Sequence, residues 1–567
     1  MDADIKPAEP PRGLSNAEIA DRLARLAQLL STQKGNPYKV KAYRRAAARI
    51  RTFAESLDEM VRDEADLTRF GGIGEGIAAA IREIVLTGTL AKLEKLRGQA
   101  TPALADLSAY PRLDPKRVMR IYKKLGISSV DELKSRLENG AIEKALGPRL
   151  AQHVRQGVTQ THAMLLYHAD DLRDAIEAFL VGTCKARRAE AAGDYRRRVE
   201  VIEELVFVIE TDDFPGVVAR MQRYGGRTPL LQLQAQMALF ALSSGIRLRL
   251  QRATKKDWGF HMVACTGSRA HLRKITAVTG PFRQLKADLF PTETALYHKF
   301  GLSVIDPELR EGRDEVRQAK SNQLPKLVTR PDFRGDLHAH TLASDGSDSI
   351  EAMADAARKL SYEYVGISDH SQSLKIARGV SVADLWAQIR YIDKLNGRLR
   401  GFRILKSSEV DILADGSLDY PDDLLKELDY TVCSIHSRFG LNRDAQTERI
   451  LRAMDNRYFN ILGHATGRLL LKRPGYDIDM DRVIEHARQN GCFFEINSSP
   501  DRLDVSAENA RQASAAGIMI AVSTDSHSTR EFDLIRCGLD QARRAGLTKA
   551  DILNCQPWKS LERLFRR

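Results

Sequence analysis

The chain has 567 residues, too many for one ordinary hydrophobic core, so two to four domains are expected. Its 43% hydrophobic and 29% charged content is that of a globular protein, and its six scattered cysteines, with no CxxC, exclude a disulfide scaffold or a thiolate zinc site. A formal charge of +13 and a pI of about 9.4 favour a polyanionic partner, nucleic acid first.

The opening MDADIKPAEPPRG is polar and proline-rich, without the apolar stretch of a signal peptide, and residues 1–14 read as disordered. No run reaches the roughly eighteen apolar residues of a membrane span. A cytoplasmic, nucleoid-associated protein with reduced thiols and no membrane partner is expected. Residues 15–98 read as a helical DNA-binding domain. Ser15 and Glu18 form a capping box, followed by Ile19, Leu23, Leu26 and Leu29/Leu30 at helical spacing. A second amphipathic helix carries Lys39, Lys41, Arg44, Arg45, Arg49 and Arg51. The GIGEG turn, with Gly72, Gly74 and Gly76, then opens another helix at Ile77. Glycines permit the tight turn, and the helix N-terminus offers amides to a DNA phosphate. This is the pattern of a helix-hairpin-helix, with Lys41 and Arg44 as further phosphate contacts. A weaker copy spans 109–133 with Gly126 alone, inside a fingers-like helical region, 99–164.

Residues 165–310 read as mixed α/β, with EELVFVIET, GIRLRLQRA and WGFHMVACTGS as strands. Residues 311–333 read as a linker. From 334 to 567 short apolar runs alternate with amphipathic helices such as EAMADAARKL and MDRVIEHARQ, which predicts a parallel β/α barrel. The apolar runs end in His338 and His340, Asp369 and His370, Glu409, His436, His464, Glu495 and Asn497, then Asp525 and His527. Asp345 follows the first pair closely. In a barrel those ends converge on the face where chemistry is done. His338/His340 and Asp525/His527 are two apart, so each pair faces one way on a strand.

A lone strand-end histidine is more often structural than a ligand. Seven consecutive strands, using six of the thirteen histidines, are hard to attribute to packing. Imidazole and carboxylate without sulfur suit Zn²⁺, Mn²⁺ or Fe²⁺, and clustered divalent ions suit phosphoester hydrolysis. Arg468, Lys472, Arg473 and Arg502, on loops after ligand-bearing strands, are candidate phosphate clamps.

GDLHAHTLASDG, ISDHS, EVDILADGSLD, SIHS, GHATGR, EINSSPDRLD and TDSHS resemble the PHP (polymerase and histidinol phosphatase) domain. Residues 15 to 567 as a whole resemble the family X DNA polymerases of bacterial and archaeal type that carry a C-terminal PHP domain. The resemblance implies a multidomain protein: an all-α helix-hairpin-helix region, an α+β palm and thumb, and a (β/α)7 barrel. It implies three divalent ions, Zn²⁺ and/or Mn²⁺, on His338, His340, Asp345, His370, Glu409, His436, His464, Asp525 and His527. Glu409, His340 and Asp525 would be central to catalysis. It further implies 3′→5′ exonuclease and DNA-end phosphoesterase activity in base excision repair, on gapped, nicked or 3′-end DNA, by an enzyme expected to be a monomer.

The polymerase half departs from that pattern. The family writes G-S-x-R-R and then a D-x-D pair, whereas GDYRRRVEVIEELVFVIE has Asp194 for the serine and Glu204 and Val206 for the aspartates. Arg249 stands at the third carboxylate, where a cation would repel Mg²⁺. Nucleotidyl transfer and a palm Mg²⁺ are therefore not expected. Asp212 and Asp213 lie close enough for the alignment to slip. Gly76 and Ala80 stand where a lyase amine would be needed, so Schiff-base chemistry is not expected either. Two alternatives stay open: an active polymerase with a proofreading barrel, and a repair scaffold or small phosphatase.

Overall fold

The computed structural model describes residues 13–32, 36–99, 113, 115–147, 150–151, 154–155 and 163–566. Most of the stretch expected to be disordered, residues 1–12, lies outside them, but Gly13 and Leu14 are ordered and the Leu14 amide donates to Asp58 (3.1 Å). Residues 109–112 and 114 of the second hairpin candidate also lie outside the described residues. The chain divides into two compact units, 1–322 and 323–567. The boundary falls inside the expected linker, whose first half is folded instead. Helix Glu315–Lys320 buries Val316 and Ala319, and Glu315 accepts bonds from His271 (2.7 Å) and the Gly312 amide (2.8 Å).

In the first unit, helices Asn16–Thr32, Pro37–Ile50, Leu57–Arg62, Glu75–Thr87 and Ala91–Gln99 close around Ile19, Leu23, Leu26, Leu67, Ile81 and Ile84. The capping box forms: the Ser15 amide donates to Glu18 (2.8 Å) and the Glu18 amide to the Ser15 hydroxyl (3.3 Å). Helices Pro115–Leu125, Val130–Glu138 and Ala141–Leu146 share a separate small core. The central sheet contains β2 (Arg188–Ala192), β4 (Glu204–Glu210), β5 (Leu230–Gln234), β6 (Met237–Ala241) and β7 (Arg247–Ala253), in the order β2-β4-β7-β6-β5. Two short strands, β1 (Met164–Leu165) and β3 (Val201–Ile202), pair beside it. Only β4 and β7 run parallel within the five.

The expected strand WGFHMVACTGS is instead the helix Trp258–Thr266. Trp258 and Met262, four apart, form one stripe that packs on Val206 and Val208 of β4. A short apolar run carries no alternation to separate strand from helix, so packing decided it. Gly225, at φ 58, lets the helical region approach the sheet region. Its amide donates to the Ala54 carbonyl (2.8 Å), and a Cβ there would lie 3.2 Å from the Phe53 carbonyl oxygen.

The second unit is a barrel. Its strands are β8 (Gly335–Asp336), β9 (Tyr364–Ile367), β10 (Arg403–Lys406), β11 (Glu409–Asp411), β12 (Val432–Ser434), β13 (Ile461–Leu462), β14 (Phe493–Asn497) and β15 (Ile520–Ser523). Every pairing between them is parallel. β10 and β11 are one stave interrupted at Ser407–Ser408, and the Ser407 amide still donates to Ile367 of β9 (3.1 Å). The ring closes where the His340 amide donates to the Ser526 carbonyl (2.8 Å). Seven staves result among the described residues. Ser349, Ser381, Asn442, Asp479 and Ser506 cap the helices that follow the staves, each accepting from an amide three residues on. Helix starts are thereby set by local chemistry, while strands buried on both faces supply the core.

Candidate metal centre

The C-terminal ends of the staves bring the predicted ligands together. Three groups have ligand atoms mutually within 4.8 Å: His340, Asp345, His370 and His527; His338, His340, Glu409 and Asp525; and His370, Glu409 and His436. His464 joins through Glu409, its Nε2 lying 2.8 Å from Oε1. Glu409, His340 and His370 each belong to two groups. His338 and His340 are fully buried, whereas Asp345 and His527 are about one third exposed (33% and 35%), so the nest opens to solvent on their side.

Local geometry serves this convergence. His464 and Asp525 adopt φ 26 and φ 55, left-handed values that cost a non-glycine residue energy and cluster at functional sites. A second layer orients the rings. Glu495 accepts from His338 Nδ1 (2.7 Å) and from the His464 amide (2.9 Å), and Asp411 accepts from His436 Nδ1 (2.6 Å). Asn497 donates to Asp525 (3.0 Å). These contacts leave the opposite ring nitrogen turned toward the cluster, the arrangement ligating histidines use. Asp411 escaped sequence reasoning, although its spacing of two from Glu409 was a usable signal. Asp369 braces the backbone instead of joining the cluster, accepting from the Thr341 amide (2.8 Å), the Ser344 hydroxyl (2.6 Å) and Gln388 (2.6 Å).

The donor atoms fit divalent cations. His338 Nε2, His340 Nδ1, His370 Nδ1, His464 Nδ1 and Glu409 Oε2 are shielded from water without an aligned hydrogen bond, although His370 Nδ1 and Glu409 Oε2 face each other at 2.8 Å. Each orphaned buried polar atom costs roughly 1–3 kcal/mol, so five in one nest mark a binding site rather than a core. Burial opposes charge on Glu409, but the imidazoles of His370, His436 and His338 outweigh it and hold the carboxyl well below its ordinary range. Burial likewise opposes protonation of His436 and His527, yet Glu409 and Asp411 push the first up to about 10, and Asp345 and Asp525 the second to about 9. His436 and His527 thus draw protons that a cation can replace, whereas burial and the neighbouring His370 hold His340 down at about 4 and leave its ring free to ligate.

The predicted phosphate clamps separate. Arg502 stands at the nest, its Nε 3.7 Å from Asp525. Arg468 turns away: it donates to the carbonyls of Arg502 (3.0 Å) and Leu503, fixing the loop that carries Arg502. Lys472 pairs with Asp501 (2.6 Å), and Arg473 stacks 4.7 Å from the Phe439 ring. In the helical region, Gly72 has φ 88 and Gly74 is the N-cap of helix Glu75–Thr87, without a side-chain cap. A Cβ on Gly74 or Gly76 would meet nothing within 4 Å, whereas at Gly72 it would lie 3.8 Å from Arg49. Lys41 is exposed, and Arg44 bonds Gln28 (3.2 Å).

In the central sheet, Val206 pairs in register with Arg249 and is buried. Arg249 donates to Glu204 (3.0 Å) and Arg197 to Asp194 (2.5 Å). Asp212 pairs with Arg187, and Asp213 caps helix Phe214–Met221. Among the described residues, no helix is long and apolar enough to cross a membrane.

Comparison with known proteins agrees with this layout. The helix-hairpin-helix domain family matches residues 14–90, and the PHP domain family matches residues 336–499. The DNA polymerase/3′-5′ exonuclease PolX of Bacillus subtilis (strain 168) is 31% identical over 577 aligned residues, covering 97% of this chain and 99% of that protein. A probable phosphatase of Thermoanaerobacter sp. (strain X514) is 32% identical over 240 residues, 40% of this chain and 93% of its own length. A probable phosphatase of Acetivibrio thermocellus is 30% identical over 208 residues, 35% of this chain and 81% of its own length. With near-complete coverage of both chains, a helix-hairpin-helix at one end and a PHP barrel at the other, this chain belongs to the PolX family of DNA polymerase/3′-5′ exonucleases.

Proposed function

We propose that this chain is a metal-dependent 3′→5′ DNA exonuclease and phosphoesterase that trims 3′ ends at gaps and nicks during repair. Residues 334–567 carry the chemistry, and residues 15–98, 99–164 and 165–310 hold DNA as hairpin, fingers-like and palm–thumb regions. The single observation that carries the reading is the set of three ligand groups joined by Glu409, His340 and His370, with five donor atoms unsatisfied. It supports three ions, Zn²⁺ and/or Mn²⁺, on His338, His340, Asp345, His370, Glu409, His436, His464, Asp525 and His527. Divalent ions supply Lewis acidity to a phosphoryl oxygen and acidify water near neutral pH. The chain's own part is orientation: Glu409 and Asp525 hold the negative centre of the nest, His340 joins two groups, and Arg502 takes a phosphate oxygen. Arg468 positions that loop. Gly72, Gly74, Gly76, Lys41 and Arg44 grip backbone phosphates.

Nucleotidyl transfer is absent in this reading, because Arg249 occupies a place that needs a carboxylate and holds Glu204 in an ion pair. The name of the Bacillus subtilis relative keeps the polymerase alternative open, and the phosphatase relatives of the barrel keep a small-ester alternative open. One gel separates the three. A 5′-labelled primer on a gapped template is incubated with Mn²⁺, with and without dNTPs. Shortening in both lanes is expected. Growth only with dNTPs would establish the polymerase, and an intact primer beside turnover of p-nitrophenyl phosphate would establish the phosphatase.

A further inference from the structure

The loop after β9 leaves the barrel directly from the ligand-type residue His370 and returns at Val380. Its base is locked: the Val380 amide donates to the His370 carbonyl (2.8 Å) and the Ser371 amide to the Glu409 carbonyl (3.0 Å). Asp419 clamps one flank, accepting from the Ser373 amide (2.7 Å) and hydroxyl (2.5 Å). The Leu374 carbonyl accepts from the Ala377 and Gly379 amides (3.0 and 3.1 Å). Gly379 packs so closely on Ser371 that a Cβ would lie 2.0 Å from its carbonyl oxygen. The tip is one 3₁₀ turn, Lys375–Ala377, followed by Arg378 in the left-handed region. This frame holds Ile376 at 94% exposure, more than any other large hydrophobic side chain among the described residues, between Lys375 and exposed Arg378. Leu342, on the loop after the adjacent stave β8, is also exposed, at 56%.

A braced aliphatic flanked by two cations, on a loop whose base is the ligand-type His370, suits a nucleic-acid end. The ligands Glu409, His338 and His340 are buried while Asp345 and His527 are about one third exposed, so an unpaired strand end reaches the inner ligands more readily than a paired one. Aliphatic side chains are used elsewhere to part stacked base pairs, and flanking cations take the phosphates. We propose that Ile376 is a wedge that unpairs the terminal base pair of duplex DNA, with Lys375 and Arg378 on the flanking phosphates, so that the 3′ strand enters the barrel single. This rests on the nuclease reading above, and it makes Ile376 a specificity-determining residue rather than a catalytic one.

The test uses full-length protein with Mn²⁺ and the exposed-site variant Ile376→Ser. Three substrates are compared: a blunt duplex, its labelled strand alone, and bis(p-nitrophenyl) phosphate. Duplex trimming should fall about tenfold, with the single strand and the small ester within about twofold of the parent. A duplex with 2-aminopurine at its 3′ terminus and a phosphorothioate end block should brighten on binding the parent and stay dark with the variant. Equal losses on all three substrates, or unchanged trimming with unchanged brightening, would overturn the wedge. If the parent cleaves the small ester but neither DNA, the nuclease reading fails, and the 2-aminopurine signal still decides the wedge on its own.

Discussion

The barrel and the central sheet both set charged side chains on neighbouring parallel strands, and they treat those charges in opposite ways. In the barrel, imidazoles and carboxylates surround one another yet leave five buried ligand atoms without an aligned hydrogen bond. In the sheet, Arg249 of β7 is joined to Glu204 of β4, and in the helical turns beside it Arg197 is joined to Asp194 and Asp213 to the amide of Gly216 (2.8 Å). Internal pairing stabilises a scaffold, whereas unmet coordination capacity prepares a surface to receive something else. Charge at strand ends is therefore not by itself a sign of chemistry. What counts is whether the fold satisfies it.

The sharpest way to break this contrast is to remove a shared ligand. His340→Ala or chelation with EDTA should abolish DNA cleavage, a loss well beyond the roughly 100-fold typical of outer-layer changes, while DNA affinity measured by anisotropy stays within about twofold. Cleavage by the variant near the parental rate would refute the centre.

Next in size is the buried charge network of the first unit. Glu293 lies between Arg196 (2.8 and 2.6 Å) and Arg310 (2.6 Å), and its side chain is 17% exposed. Burial alone would raise its pKa, but the two guanidinium groups outweigh that and hold it at about 2 instead of 4.5. Its stabilising contribution is therefore complete above pH 4.5 and lost as pH falls toward 2. Glu293→Gln strands Arg310 and should cost about 3–5 kcal/mol at neutral pH. Hydrogen exchange across β4 and β7 should show that gap shrinking on acidification, and a gap that widens would contradict the assignment.

Smaller effects come from the layer behind the ligands. Glu495→Gln and Asp411→Asn should each weaken metal affinity or activity by about 10- to 100-fold, read from the Mn²⁺ dependence of cleavage, with the fold intact by circular dichroism. Smallest is the half-buried pair of the sheet: Arg249→Ala should change stability by less than about 1 kcal/mol and leave the exonuclease rate unchanged. A large loss of cleavage there would tie the sheet to the chemistry and dissolve the contrast.

Much of the centre was legible because ligand-type residues recur where apolar runs stop. The spacings of His338/His340 and Asp525/His527 also survive as shared faces. The capping box at Ser15 and Glu18 was legible for the same reason, since its partners are three residues apart. The helix Trp258–Thr266 was not, because nine residues of mostly apolar character suit a strand as well. The loop position of Arg468 suggests a phosphate clamp, but its guanidinium lies on the carbonyls of Arg502 and Leu503, a contact across more than thirty positions. Nothing in the sequence around Ile376 marks it as an exposed tip. Only the bonds accepted by Asp419 and by the Glu409 and His370 carbonyls reveal that it is held in water.

The sequence alone determined the alternation of staves and helices, the ligand types at stave ends, the glycine turn before Glu75 and the cation at position 249. These depend on contacts a few residues apart, or on side-chain chemistry that needs no neighbour. The tertiary structure decided that β8 and β15 meet through His340 and Ser526, that Glu409 is shared between groups, and which ring nitrogens lack an aligned hydrogen bond. Those outcomes depend on ring closure and on burial by residues hundreds of positions away, and hydrogen-bond satisfaction is a property of the closed barrel rather than of any segment.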